Sequence, residues 1–221
     1  MLWREGLAVC NATSRARVFR TESSVPLSLS PDHVQQAPQT RAASEQWQEL
    51  RFDIDQSVNP DIVGTMTDMS QVKDASVDAL FSSHNIEHLY PHEVPVALAE
   101  FKRVLKPGGF VVITCPDLQA VCALVAEDKL TDAAYVSPAG PIAPIDILYG
   151  HRPAMANGNT YMAHRCGFTK RALTGTLQAA GFDLVLPIQR THPAYDLWAI
   201  AALAPITHEE VVALAKEHFS E

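Results

Sequence analysis

The sequence predicts an α/β fold built on a doubly wound, mostly parallel sheet with an antiparallel edge strand. Three observations carry this. From residue 46 onward, short β-rich runs alternate with stretches of helical periodicity, the pattern of strands joined by crossover helices. The run "FVVITC" (110–115) is almost continuously apolar and β-branched, as expected of a strand covered on both faces. The last two strand-like runs, "DLVLPIQ" (183–189) and "DLWAIAALA" (196–204), have no helix between them, so they are expected to pair as an antiparallel hairpin at one edge.

Each element follows from local chemistry. "ELRFDI" (49–54), "DIVGTM" (61–66) and "VDALFSS" (77–83) read as strands, the last preceded by the turn-like "KDAS". "HEVPVALAEFKRVL" (92–105) places Val96, Leu98, Phe101 and Leu105 among charges, which predicts a helix with one buried face. "KPGG" (106–109) should end it in a turn, because proline cannot continue a helix. It precedes a strand and not a helix, so it is no phosphate cradle. "DLQAVCALVAED" (117–128) returns to helical spacing. Residues 129–168 read as long and irregular, a length that within a compact domain points to function or disorder. "FTKRALTGTLQAAGF" (168–182) predicts a helix capped by Thr169 and stopped by Gly181. "THEEVVALAKEHF" (207–219) predicts a last helix whose Glu209 and Glu210 suit its dipole.

Residues 1–45 are polar and weakly patterned, with "VPLSLS" (25–30) as a short strand candidate. They read as an N-terminal arm able to contribute the first strand, and residues 46–221 as the domain proper. Arg4, Arg15, Arg17 and Arg20 with several Ser and Thr faintly suggest a transit peptide, but an arm laid on the domain is the expected reading. The chain has 221 residues, 47% apolar and 19% charged, with a net charge of -8. That balance argues against nucleic acid or an anionic membrane surface as the main partner. No apolar run approaches the roughly 18 residues of a membrane span. Four scattered cysteines without a CxxC predict reduced thiols and a cytoplasmic protein.

The segments "DIDQSVNPDIVGTMTDMS", "SVDALFSSHNIEHL", "EFKRVLKPGGFVVITCPDL" and "GFTKRALTGTLQAAGF" resemble class I S-adenosylmethionine (SAM) dependent methyltransferases, in particular the type-11-like group. The resemblance runs over roughly residues 48–203 and implies a Rossmann-like fold. SAM is then the implied cofactor, S-adenosylhomocysteine the product and a small molecule the acceptor. It places Asp53 at the ribose hydroxyls, with Asp55 the next carboxylate on the same side of an extended chain. Thr65 and Met66 match the adenine pair, with Thr65 standing where the family has an acid. Asp68 is a substitute for that acid, or a cap of the following turn. Ser83 and His84 would line the methionine end, while Glu87 and His88 fix the loop. The family's glycine-rich loop after the first strand has no counterpart: of ten glycines, none lies between Gly6 and Gly64. "SLSPDHVQQ" (28–36) is the nearest candidate by position, and its Pro31 lacks an amide hydrogen.

His84, His88 and His92 are spaced by four, which on a helix would face one metal. Pro91 and the short length oppose such a helix, so no metal is expected there. For a hydroxyl acceptor, the candidate general bases are His84 first and Asp117 second; Asp117 is equally a helix N-cap. Residues 147–169 concentrate Tyr149, His151, Arg152, Asn157, Asn159, Tyr161, His164 and Arg165, a mixture that suits a lid or acceptor-binding loop. Its two arginines are candidates for an anionic acceptor. His164 with Cys166 is too sparse for a zinc site. The expected function is a methyltransferase for a small-molecule or saccharide-type acceptor. The alternative is a catalytically inactive fold of the same kind acting as a binding module. The sequence sets no oligomeric state.

Overall fold

The alternation of the sequence becomes a central sheet in the computed structural model, which describes residues 6–12 and 47–218. In chain order the strands are β1 (Gly6–Ala12), β2 (Trp47–Asp53), β3 (Ile62–Val63), β4 (Val77–Ser83), β5 (Leu105–Pro116), β6 (Tyr135–Ser137), β7 (Gly140–Ile142), β8 (Leu184–Arg190) and β9 (Asp196–Ala202). The helices are α1 (Val94–Val104), α2 (Leu118–Ala126), α3 (Pro144–Tyr149), α4 (Arg152–Ala156), α5 (Lys170–Ala179) and α6 (His208–His218). The main sheet runs β3-β2-β1-β4-β5-β9-β8, and β6 and β7 form a separate hairpin. "VPLSLS" and "SLSPDHVQQ" lie outside the described residues.

Strands β2, β3, β4, β5 and β8 run one way; β1 and β9 run the other. The β8–β9 hairpin forms at the edge as the missing helix predicts, and Pro187 lies on that edge strand, where no further neighbour needs its amide. The reversal of β1 is new. It lies between β2 and β4 and is antiparallel to both, with Leu7 opposite Phe52 and Gly6 opposite Ser83. The chain therefore enters β1 at the edge where β2 and β4 end, and leaves it at the opposite edge, where Ala12 pairs with Trp47.

Alternate residues of each strand feed two cores. Leu80, Val111, Ile113, Cys115, Leu197, Ala199 and Ala201 join the larger, which α1 covers with Leu98 and Phe101 and α5 with Leu173 and Leu177. Ala79, Phe110, Val112, Ile200 and Ala202 face the other way, against Val211 and Ala215 of α6. Thr169 caps α5 through its side chain, accepting from the Ala172 amide at 3.3 Å. Gly181 follows α5 at φ 87°, both as the sequence predicts.

Two expectations change. "KPGG" is not a free turn: the helix does stop before it, but residues 105–109 pass straight into β5. The ladder with β4 slips between Val77 and Ala79, a bulge whose extra length Gly108 absorbs at φ 78°. Residues 129–168 are also not irregular; they hold the β6–β7 hairpin, α3, α4 and a 3-10 turn at Thr160–Met162.

The β3–β4 connection is tied to α1 by Arg103, which donates to the Val72 and Met69 carbonyls at 2.9 and 2.8 Å, while Glu100 accepts from the Met69 amide at 2.7 Å. Just upstream, Gly64 packs on the fully buried Phe52 ring, and a Cβ there would lie 2.4 Å from the Phe52 Cζ. Gly64→Ala is therefore expected to destabilise the protein by about 1–3 kcal/mol, the usual range for overpacking a filled core. Urea unfolding monitored by circular dichroism measures this; an unchanged midpoint would show that Phe52 has room to yield.

Candidate functional site

The ends of β2 and β4 flank the start of β1, so they are two strand spacings, roughly 10 Å, apart. Asp53 ends β2 with 2% of its surface exposed. Its Oδ1 accepts the Asp55 amide at 2.7 Å. Asp55 is used differently: its Oδ1 accepts the Ser57 amide at 2.8 Å and caps a 3-10 turn, Gln56–Val58. Across the β3 end, the Thr65 hydroxyl accepts the Thr67 amide at 3.3 Å and its carbonyl accepts the Asp68 amide at 2.9 Å. Asp68 caps the next turn, its Oδ1 accepting from Ser70 at 3.0 Å. Hydrogen bonds from Ser70 hold its carboxyl below the usual range. Met66 packs on the edge of the larger core.

Ser83, at the end of β4, is buried and accepts from the Thr114 hydroxyl at 3.2 Å. The chain turns sharply at His84, which takes a left-handed φ of 51°, a conformation uncommon for a side-chain-bearing residue and often found at functional sites. The His84 amide is held by the Thr114 carbonyl at 3.0 Å. Its ring lies between two buried acids, with Nδ1 3.2 Å from Glu87 Oε1 and Nε2 3.9 Å from Asp196 Oδ2. Asp196 is in turn paired with Arg190, whose Nε donates to Oδ1 at 2.7 Å, and Trp198 Nε1 donates to Oδ2 at 3.2 Å. Arg190 also stacks over the Trp198 ring at 4.7 Å.

Glu87 and His88 belong to the 3-10 turn Ile86–His88, and both are buried. Burial alone would push the Glu87 carboxyl up; the contact with His84, and the field of the His84, His88 and His164 rings when protonated, reverse this and hold it below the usual carboxylate range. His164 is brought in from the far end of the flap, residues 144–167. The His88 and His164 rings meet edge to face at 5.0 Å. The junction is stitched by backbone: the Arg165 and Cys166 amides donate to the Glu87 carbonyl at 2.8 and 3.1 Å, and Arg165 Nη1 donates to the His88 carbonyl at 2.7 Å. His92 is exposed and stacks on Tyr90. The three histidines spaced by four thus do not share a helix face, as Pro91 led us to expect.

A small cleft opens beside this cluster, lined by Glu87, Cys115, Leu118, Val121, Ile147 and His164 among others. Burial, then the charge of Glu87, pushes the Cys166 thiol up to about 12, and the same causes push Cys115 well above its ordinary value. Both therefore stay as neutral thiols. Asp117 is fully buried at the N-terminus of α2; its Oδ1 accepts the Gln119 amide at 3.0 Å and its Oδ2 accepts the Gln189 side chain. Of its two expected roles, the structure displays the cap.

The flap arginines are engaged within the protein. Arg152 pairs with Asp146, through Nε to Oδ1 at 2.6 Å and Nη2 to Oδ2 at 3.0 Å. Arg165 lies 5.0 Å from the centre of the Tyr90 ring. Gly150 closes the flap at φ 101°, where a Cβ would meet the Met162 carbonyl at 1.9 Å. The structure thus brings His84, Glu87, His88, His164 and Asp196 together, and sets Asp53 apart across β1. Spacing on the chain reveals the His84–Glu87 pair; nothing in a single sequence reveals that His164 and Asp196 join it.

Residues 8–113 match the family model described as a methyltransferase domain, and no curated protein matches the chain. Among solved structures, a SAM-dependent methyltransferase from Thermotoga maritima, described as a possible histamine N-methyltransferase, is similar at 14% identity and a TM-score of 0.45, over 69% of this chain and 72% of that one. A SAM-dependent methyltransferase from Archaeoglobus fulgidus is similar at 14% and 0.45, over 69% and 74%. The 1,6-didemethyltoxoflavin-N1-methyltransferase of Burkholderia thailandensis, solved with its substrate and S-adenosylhomocysteine, is similar at 18% and 0.41, over 69% and 60%. The strand order defines a Rossmann-like α/β protein. The family match is confined to residues 8–113, so that part of the chain is similar to a methyltransferase domain.

The flap should loosen in acid. Burial pushes the Asp146 carboxyl up, but Arg152 and the Ala143 and Arg152 amides pull it below its ordinary value. The charged form is thus favoured by folding, so its contribution is fully present above the unfolded pKa of ~3.9 and is lost as pH falls through the lower folded value. Asp146→Asn should cost about 1 kcal/mol of local stability, roughly a fivefold loss of amide protection, because the half-exposed Arg152 screens the pair. Hydrogen exchange at the Ala143 and Arg152 amides reads this, and equal protection in variant and wild type at neutral pH would refute the anchor.

Proposed function

We propose that this chain binds SAM at the edge formed by the β2 and β4 ends and methylates a small-molecule or saccharide-type acceptor entering the cleft beneath the flap. The observation that carries the reading is Asp53: a carboxylate 2% exposed at the carboxyl end of β2, where open α/β sheets hold the hydroxyls of a nucleoside. Asp55 lies beside it, and Thr65, Met66 and Asp68 border the same edge for an adenine. Ser83 and His84 terminate β4, toward the methionine end. Gly6, opposite Ser83, has no side chain to keep a ligand from the backbone there.

When bound, SAM supplies an electrophilic methyl group, so the protein has chiefly to align donor and acceptor. For a hydroxyl acceptor, His84 is the base that fits. Its ring is 16% exposed, and a proton taken up there would sit between Glu87 and Asp196. Asp117 is the second candidate. Cys115, Cys122 and Cys166 are unbridged, which suits a reducing compartment such as the cytoplasm. No helix among the described residues is long and apolar enough to cross a membrane.

One observation favours a second reading, a methyltransferase fold that binds without catalysis. β1 is reversed, and no glycine occurs between Gly6 and Gly64. Calorimetric titration with SAM and S-adenosylhomocysteine separates the two. The enzyme reading expects binding of both, weakened at least tenfold by Asp53→Ala, the order of a lost charged hydrogen bond of roughly 1.5–3 kcal/mol. No heat at millimolar ligand supports the second reading, and an unchanged affinity in Asp53→Ala removes the ribose role.

A further inference from the structure

We infer that Glu87, His88 and His164 form a binding site for a divalent transition-metal ion, with zinc the best match to the donor set. One donor atom from each of the three lies within 4.8 Å of the other two. The ring nitrogens are already sorted. Nδ1 of His88 is 3.1 Å from the Ala163 carbonyl, and Nδ1 of His164 is 2.7 Å from the Ile147 carbonyl. A carbonyl only accepts, so each Nδ1 carries a proton, and Nε2 is the nitrogen that would serve as ligand, losing any proton of its own when a metal binds. Backbone carbonyls that fix a histidine in this way are the usual outer support of metal-binding imidazoles.

Glu87 supplies the negative ligand. It is 1% exposed, and its Oε2 accepts no hydrogen bond from any described residue. A buried carboxylate oxygen without a donor is costly, and a cation satisfies it. Two imidazoles and one carboxylate make a three-ligand set of the kind that leaves a fourth zinc position open. Here that position would border the cleft, which both Glu87 and His164 line. Zinc bonds of about 2.0–2.2 Å place ligand atoms roughly 3.3 Å apart, so the three side chains must draw closer on loading. His164 can supply this movement, because it is carried by the flap and is itself only partly buried. The site differs from the sequence run His84, His88 and His92, whose last member is elsewhere.

The test uses the full chain without an affinity tag, stripped with chelator and titrated with zinc alone by calorimetry and with cobalt(II) alone by visible absorption. The expected result is one ion per chain, with cobalt d–d bands of four- or five-coordinate geometry. Glu87→Gln and His164→Gln should each weaken binding at least tenfold; thermal melting confirms that the variants fold. Should Glu87→Gln not fold, His164→Gln on the flap decides alone. Absence of stoichiometric binding by wild type, or equal binding by the folded variants, overturns the site. No SAM is present in these titrations, so their failure is independent of failure of the cofactor titration.

Discussion

A carboxylate buried at the edge of the sheet is the constraint on which the site is built. Leaving an isolated charge in a low-dielectric interior costs several kcal/mol even after relaxation, so Glu87 must gather compensating groups. His84 lies 3.2 Å from one of its oxygens, and His88 and His164 stand around it. The same residue's carbonyl accepts two flap amides. One three-residue turn, Ile86–His88, thus sets the orientation of His84, the seating of the flap and the wall of the cleft together. A change at Glu87 would act on all three through this turn and not through a single lost contact.

The direction of β1 accounts for the oddest feature of the sequence. A glycine-rich loop serves a cofactor only if it follows a strand that ends at the ligand edge. Here β1 begins at that edge and ends at the other. β1 therefore ends at Ala12, on the side of the sheet away from Asp53. The lack of glycine between Gly6 and Gly64 thus coincides with a reversed strand. The glycine that does reach the ligand edge is Gly6, by the start of its strand and not by a following loop.

The fold was legible because its signals are local. β4 begins and ends where the alternation of "VDALFSS" does, and Thr169 and Gly181 bound α5 through side-chain and backbone preferences that need no neighbours. The bulge at residues 105–109 was not legible, since proline and glycine announce a break in helix but not the ladder that takes up the freed chain. The flap's order was hidden for a related reason: α3, α4 and the Gly150–Ala163 bridge are held by Asp146, Arg152 and contacts to the turn after β4. Asp53 could be placed from its position at a strand end. The Glu87 cluster could not, because His164 and Asp196 reach it only through tertiary structure.

Hydrogen bonding also decides between the two candidate bases within the proposed reading. Both oxygens of Asp117 are engaged, one by the Gln119 amide and one by Gln189, and the residue is wholly buried. Using it as a base would leave those donors without their acceptor, at roughly 1–3 kcal/mol for each buried group. His84 is less enclosed: its ring, between Glu87 and Asp196, is 16% exposed, and its backbone amide already has the Thr114 carbonyl. The left-handed φ of His84 turns the chain out of the line of β4, and its ring lies between Glu87 and Asp196. Within the proposed function, acid–base work would therefore fall to His84 at the end of β4, while Asp117 caps α2 behind it.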